Sequence, residues 1–154
     1  MIEMVFSYKL FNPLFWHIRE AMHDKDIRYI INRGGSSSGK SVSTTQAVLL
    51  SVLSGDGSAL IVRKVGASLK NTVYEEFKTQ MRVLQLSRFF SPKENNITCM
   101  NGCKIDFTGL DDPEKIKSIT GYSRCTYSRQ MLHIRSNTVC SLIYQIKRIC
   151  FRHN

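Results

Sequence analysis

The chain has no acidic residue after Glu114. Residues 123–154 contain six basic side chains and no acidic one, whereas residues 1–122 contain 16 basic and 12 acidic side chains. More than half of the net charge of +10 therefore comes from the last 32 residues. A basic excess of this kind favours either a polyanionic partner such as nucleic acid or an ordinary solvated surface.

Long apolar runs are also missing, since no stretch approaches the ~20 residues that a transmembrane helix needs. The N-terminus carries Glu3 and has no small-residue cleavage site behind a continuous apolar core, which argues against a secretory signal peptide. With 42% apolar and 22% charged residues, the composition is typical of a globular protein. We therefore expect a cytoplasmic protein without membrane association.

The cysteines contain no CxxC pair, and their spacing does not match a zinc site. Because a secretion signal is absent as well, free thiols are expected and no metal site is predicted from them. The five residues are Cys99, Cys103, Cys125, Cys140 and Cys150.

Alternating helix and strand patterns predict an α/β fold built on a parallel sheet. The first helix follows Asn12-Pro13 in "FNPLFWHIREAM", and its aromatic side chains either pack on the domain or contribute to an adenine pocket. Residues 27–32 predict a buried strand, and residues 40–53 predict a helix that ends at the turn "SGDGS". "ALIVRK" predicts a second short strand.

A further helix is predicted over residues 68–86, with Ser68 as its N-cap and a core-facing stripe of apolar side chains. "NITCMNGCKIDFTG" predicts an antiparallel hairpin, because Asn-Gly is the strongest two-residue turn signal. Another helix is expected in "LDDPEKIKS", with Asp112 as N-cap and Pro113 in the first turn. The core-facing stripe consists of Leu69, Val73, Phe77, Met81 and Leu84.

Residues 34–41 match G-x-x-x-x-G-K-[ST], the Walker A pattern, between a β-branched strand and an apolar helix. Main-chain N–H groups have to wrap a triphosphate, which requires backbone angles and space that small residues allow. The N-terminus of the following helix adds partial positive charge. A flexible Gly/Ser linker is the alternative, but a linker does not need Lys-Ser at this position between two buried elements.

Each residue of this glycine-rich loop (residues 34–41) is a candidate for binding ATP. Lys40 is expected to neutralise the β- and γ-phosphate oxygens, and the Ser41 hydroxyl is expected to hold Mg²⁺. The candidate nucleotide-binding residues are Gly34, Gly35, Ser36, Ser37, Ser38, Gly39, Lys40 and Ser41.

Hydrolysis needs a second carboxylate for Mg²⁺, normally at the end of an apolar strand, and a group that orients or activates water. Asp106 lies in a strand with polar alternation beside a hairpin turn, and Asp111 and Asp112 have the pattern of turn and cap residues. None of the three is a convincing Walker B carboxylate, so the sequence does not identify a catalytic residue.

Three stretches resemble, in the same order, the N-terminal ATPase half of phage terminase large subunits, most closely the PBSX-like group. They are "YIINRGGSSSGKSVSTTQAVL", "ALIVRKVGASLKNTVYEEFKTQM" and "NGCKIDFTGLDDPEKIKSITGY", and the likeness covers about residues 10–122. The resemblance implies a P-loop NTPase-like fold that uses ATP and Mg²⁺ to package double-stranded DNA into capsids. It also implies a C-terminal nuclease domain in the whole protein. The implied partners are a terminase small subunit and a portal protein, with oligomerisation where the domain is complete.

The same resemblance bears on three basic residues. Family members often carry an arginine within or beside the loop that reaches the γ-phosphate, and here only Arg33 has that position. Arg63 and Lys64 match a basic pair of these ATPases that faces phosphate or a neighbouring subunit. A solvated strand end is the alternative for this pair.

After Tyr122 the sequence departs from the family, which has there an apolar strand ending in adjacent acids. We expect a truncated or frameshifted chain with a helical lead-in over residues 1–27, a partial P-loop domain over residues 28–122 and an atypical basic tail over residues 123–154. The sheet would then be incomplete at its C-terminal end, ATP binding weak and hydrolysis slow. A native tail that contacts DNA is the alternative.

Two other functions remain open. A small self-contained P-loop protein such as a nucleotide kinase would need lid arginines, and Arg124, Arg129 and Arg135 are the available cluster. A basic nucleic-acid-binding protein would use the tail. Deletion of residues 123–154 would separate that second function from a terminase ATPase.

Overall fold

Three helices and a mixed sheet form the part of the chain that this computed structural model describes, which is residues 5–27, 29–63, 69–109, 122, 124–127 and 132–135. The helices are α1 (Pro13–His23), α2 (Lys40–Leu53) and α3 (Glu75–Val83). A π-helical stretch, Leu69–Tyr74, leads directly into α3. The strands are β1 (Tyr29–Ile31), β2 (Ala59–Arg63), β3 (Phe90–Pro92), β4 (Asn96–Cys99), β5 (Lys104–Gly109), β6 (Arg124–Tyr127) and β7 (Leu132–Arg135).

The strands follow the spatial order β1-β7-β6-β2-β5-β4-β3. Strand β2 is parallel to both β5 and β6, whereas β7 is antiparallel to both β1 and β6. Consequently β1, β6, β2 and β5 all run in one direction, and their carboxyl ends lie at the same edge of the sheet. The expected parallel sheet is therefore mixed, since β7 and β4 run against these four strands.

The strand before the glycine-rich loop is shorter and more exposed than predicted. It spans Tyr29–Ile31 rather than residues 27–32, and the side chain of Ile31 is 55% exposed. Strand β1 ends the spatial order of the sheet and pairs with β7 alone among the described strands. An edge strand has a neighbour on one side only, which is consistent with the exposure of Ile31, while Ile30 packs partly against the core.

Helix α2 is buried on all sides from residue 43 to residue 52. The sequence predicted its bounds but not this degree of burial. Helices α1 and α3 both pack on α2. Several of its polar side chains form hydrogen bonds, namely those of Ser43, Thr44, Gln46 and Ser51. Gln46 illustrates this, because its amide nitrogen donates to the Leu10 carbonyl at 3.2 Å and to Oε1 of Gln80 at 3.0 Å.

Helix α3 presents the predicted core-facing stripe in part. Phe77, Met81 and Leu84 are buried, and Val73 packs against the core from the π-helical stretch. The α-helix ends at Val83 instead of residue 86, because Gln85 adopts a positive φ of 56°. Ser68, Lys64 and the expected helix in "LDDPEKIKS" lie outside the described residues, as does the Leu69 side chain.

The predicted hairpin is confirmed as β4 and β5, which pair antiparallel on either side of a turn with Gly102 at φ 86°. This turn also contacts the end of α2. The Asn101 amide nitrogen donates to the carbonyls of Val52 at 2.8 Å and Leu53 at 3.2 Å, which adds a side-chain donor at the helix end. The Val52 carbonyl also accepts the Gly55 N–H at 3.1 Å. Oδ1 of Asn101 accepts the Cys103 N–H at 3.0 Å.

The sheet continues beyond Tyr122, where the sequence led us to expect a missing strand. Strand β6 lies directly beside β2, with Cys125 opposite Leu60 and Tyr127 opposite Val62. Its residues Cys125, Thr126 and Tyr127 are compatible with a strand, although none of them is an acidic residue of the kind expected at the end of this strand. The expectation of an incomplete sheet at this position was therefore wrong.

None of the described helices is long and apolar enough to cross a bilayer.

Asn101→Ala is expected to lower the free energy of unfolding by about 1–3 kcal/mol, because it removes the side-chain partners of two helix-end carbonyls and of one N–H group. Chemical denaturation of the full chain would measure this change. Met100→Ala is the matched control, since Met100 lies in the same turn and is 67% exposed. Equal stability of the two variants would contradict the capping role of Asn101.

Candidate functional site

The glycine-rich loop connects the end of β1 to the start of α2 at one edge of the sheet. Residues 34–38 and Ser41 are exposed, and Gly39 and Lys40 are partly exposed. Gly39 occupies the N-cap position of α2 with φ 76°, a left-handed conformation that favours glycine. The N–H of Ser43 already bonds to the Gly39 carbonyl at 2.9 Å, so the helix is regular from its first turn.

The Lys40 ammonium group lies across the loop. It donates to the carbonyl oxygens of Gly34 at 2.9 Å and Gly35 at 2.6 Å, and to Oγ of Ser38 at 2.7 Å. These three contacts use all three N–H donors of a lysine. A full positive charge is thereby held next to the positive end of the α2 dipole, and two sources of positive potential coincide at an exposed loop.

The three glycines of the loop differ in how much space surrounds them. A Cβ on Gly34 would lie 2.9 Å from Oγ of Ser38, and a Cβ on Gly39 would lie 2.5 Å from Nδ2 of Asn12. A Cβ on Gly35 would meet no atom within 4 Å. Glycine is therefore required at position 39, where φ is positive as well. A side chain at position 34 would displace the Ser38 hydroxyl, whereas Gly35 leaves open space over the loop.

Asn12 belongs to the site, and the sequence analysis did not identify it as a site residue. Its Oδ1 accepts the Phe15 N–H at 3.1 Å as the N-cap of α1, and it also accepts the Ser43 hydroxyl at 2.7 Å. The Asn-Pro pair at a helix start was a signal for the first contact. The second contact joins residues 31 positions apart and has no local signature.

The other predicted site residues lie at the start of α2, before the loop and at the end of β2. Ser41 lies in the first turn of α2 and is exposed, and Arg33 is exposed immediately before the loop. Arg63 ends β2 at the same edge of the sheet and donates a hydrogen bond to the Thr72 hydroxyl. No group of three or more His, Cys, Asp or Glu side chains within the described ranges is arranged to hold a metal ion.

The carboxylate of Asp106 is not part of the loop's surroundings. Asp106 lies within β5 opposite Leu60, three positions before the strand ends at Gly109. It accepts a hydrogen bond of 2.5 Å from the Tyr122 hydroxyl. Burial raises the pKa of Tyr122, and the bond to the Asp106 carboxylate raises it further. Asp111 and Asp112 lie outside the described residues.

Aromatic residues of α1 and the segment before it line a groove beside α2. The groove has a volume of about 870 Å³ and includes Phe11, Phe15, Leu50 and Leu53 in its lining. It reaches from Phe11, the neighbour of Asn12, to Leu53 in the last turn of α2. Phe11 and Phe15 are only 8% and 1% exposed, which favours packing over an adenine pocket.

The side chains of Cys99 and Cys103 are described, and both are free thiols as predicted. Burial raises the pKa of the Cys99 thiol, which favours its protonated form. The kinase alternative depended on Arg124, Arg129 and Arg135. The backbone register places Arg124 opposite Arg135 on β6 and β7, and Arg129 lies outside the described residues.

Comparison with known proteins gives one family and one curated relative. The sequence model of a family described as phage terminase large subunit matches residues 26–147. The PBSX phage terminase large subunit of Bacillus subtilis (strain 168) is 26% identical over 117 residues, which is 75% of this chain and 26% of that protein. The chain thus spans about a quarter of the length of this relative. The family match continues past Tyr122, where we expected the likeness to end.

Gly39→Ala is expected to destabilise the chain by about 1–3 kcal/mol, because alanine is strained at positive φ and its Cβ would collide with the Asn12 amide. Thermal or denaturant unfolding would measure the loss. Gly35→Ala is the control, since its Cβ would enter open space. If both variants unfold like the unmodified chain, the loop does not have the described conformation in solution.

Proposed function

The chain belongs to the phage terminase large subunit family, and from this premise we propose that residues 34–41 bind the triphosphate of ATP. The observation that carries the proposal is the position of the Lys40 ammonium group, 2.6 Å from the Gly35 carbonyl and 2.9 Å from the Gly34 carbonyl, beside the start of α2. A lysine held over a loop of small residues at a helix N-terminus is suited to phosphate oxygens.

The chemistry of binding follows from the contacts of the loop. Phosphate oxygens would replace the loop oxygens as acceptors for Lys40, since a charge-assisted bond between two ions is stronger than a bond to a neutral carbonyl. The exposed N–H groups at the start of α2 add donors for the same anion. The Ser41 hydroxyl, exposed in the first helical turn, would hold Mg²⁺, and Mg²⁺ would neutralise further phosphate charge.

A P-loop NTPase-like fold is also proposed, and the direction of the strands supports it. Strands β1, β6, β2 and β5 run the same way, so the glycine-rich loop and the end of β2 lie at one edge of the sheet. In open α/β sheets, ligands bind outside the carboxyl ends of the strands. Arg63 lies at this edge and remains a candidate for contact with phosphate or a neighbouring subunit, whereas Lys64 is outside the described residues.

We propose that this chain binds ATP and hydrolyses it slowly. Asp106 is the single carboxylate in the seven described strands, and it lies away from the strand end and bonds to Tyr122. A second carboxylate for Mg²⁺ and a group to orient water are both needed for efficient hydrolysis. The described residues place neither group beside the loop. Arg33, immediately before the loop, is the candidate arginine for the γ-phosphate.

The wider role proposed is that of the N-terminal ATPase part of a motor that packages double-stranded DNA into capsids. The matched region is about a quarter of the curated relative, so the nuclease activity, the terminase small subunit and the portal protein are proposed for a whole protein of this family. Oligomerisation and a place in the host cytoplasm are proposed on the same basis. A kinase is less well supported, because the family match is to terminase large subunits.

Lys40→Ala is expected to weaken binding of Mg·ATP at least ~tenfold, because the loop loses its full positive charge. Isothermal titration calorimetry of the full chain would measure the affinity. Lys104→Ala removes the same charge from an exposed position on β5 and should bind as the unmodified chain does. Equal affinity of both variants, or no binding by the unmodified chain, would refute the proposed nucleotide site.

Asp106→Asn is expected to change the affinity for Mg·ATP by less than about twofold, because the loop does not contact this carboxylate. Phosphate release should also stay at the level of the unmodified chain. Titrations with ATP in Mg²⁺ and in a chelator would measure the affinity, and a phosphate-release assay would measure hydrolysis. A loss of affinity seen only with Mg²⁺ would instead identify Asp106 as the second metal carboxylate.

A further inference from the structure

Asn12 lies where the N-termini of two helices meet. Its Oδ1 caps the Phe15 N–H at the start of α1, an 11-residue helix. The same oxygen accepts the hydroxyl of Ser43 near the start of α2, a 14-residue helix. Ser43 is fully buried, and its single hydroxyl proton is shared between Oδ1 of Asn12 and the Gly39 carbonyl, whose oxygen is 2.9 Å away, so the contact ties α1 to the base of the glycine-rich loop.

The other end of the Asn12 amide faces the loop itself. Nδ2 lies so close to Gly39 that a Cβ there would be only 2.5 Å away. The two bonds to Oδ1 fix the orientation of the amide plane, because both donors need an oxygen as their acceptor. The uncharged NH2 group of Asn12 therefore faces Gly39, where the loop joins α2.

An aspartate would make both oxygen contacts equally well. Asn and Asp are comparable helix N-caps, and a carboxylate interacts more favourably than an amide with helix N-termini. Stability alone would thus favour Asp at position 12, where two N-termini converge. A carboxylate would, however, place a negative charge beside the loop proposed to bind a triphosphate, and like charges at short range repel strongly.

We infer that Asn12 is a positioning residue of the nucleotide site, which anchors α1 to the loop and leaves the positive potential of the loop available to phosphate because it is neutral. The inference rests on the proposed function of the loop. It assigns to Asn12, which precedes the Walker A pattern by more than 20 residues, an indirect part in phosphate binding through the position and charge of the loop.

Two substitutions separate positioning from charge. Asn12→Asp keeps both oxygen contacts. Its melting temperature should therefore be the same as that of the unmodified chain or higher by up to about 2–4 °C. Asn12→Ala removes both contacts and should melt lower. For Mg·ATP, by contrast, Asn12→Asp should bind at least about tenfold more weakly than the unmodified chain, and Asn12→Ala should fall between them.

The experiment combines thermal melts without ligand and calorimetric titrations with Mg·ATP and Mg·tripolyphosphate on the full chain. The opposite ranking of stability and affinity supports the inference, because a purely structural role would make both fall together. The loss should be similar for ATP and tripolyphosphate, since the effect is on phosphate. A loss confined to ATP would overturn the inference in favour of contact with the nucleoside.

The result also separates the two levels of the proposal. If the unmodified chain binds Mg·ATP, Lys40→Ala does not, and Asn12→Asp binds like the unmodified chain, the inference about Asn12 is wrong and the nucleotide site stands. If the unmodified chain binds neither ATP nor tripolyphosphate, the proposed site and the role of Asn12 both fail.

Discussion

The burial of α2 determines where the loop can be. Every residue from 43 to 52 is buried, including Ser43, Thr44, Thr45, Gln46 and Ser51 among apolar neighbours. A helix enclosed in this way cannot rotate or slide without breaking close packing and exposing unpaired polar groups. Its ends are also held, at the first turn by Asn12 and at the last by Asn101. The core therefore fixes the position of the N-terminus, and the loop needs few contacts of its own.

Local signals predicted the parts of the structure that depend on local conformation. The bounds of α2 follow from the glycine-rich loop before it and "SGDGS" after it, and the hairpin follows from its Asn-Gly turn. The capping of α1 by Asn12 follows from Asn-Pro. In each case a turn or cap residue acts within a few positions, so one sequence contains the whole signal.

The features that sequence patterns missed depend on distant partners. Residues 27–32 have the composition of a buried strand, but β1 pairs only with β7 among the described strands, about a hundred residues later. No sequence pattern identified partners for the polar side chains of α2, whereas Gln46 bonds to Leu10 and Gln80. Asn12 reaches Ser43 across 31 positions. Periodicity reports the average environment of a face and does not identify a buried polar side chain whose partner is elsewhere.

Strand β6 shows that pairing in the sheet and a carboxylate for a metal site are two separate requirements. Pairing beside β2 requires β-forming residues in register, and Cys125, Thr126 and Tyr127 meet that requirement. A metal site at the end of a strand requires a carboxylate in addition, and β6 has none. The family match beyond Tyr122 and the lack of an acidic strand end are therefore compatible, because topology constrains backbone pairing and not side-chain charge. The proposed nucleotide binding would depend on the loop and α2, whereas hydrolysis would depend on groups that the described strands do not supply. The two proposed functions would thus be separable by substitution.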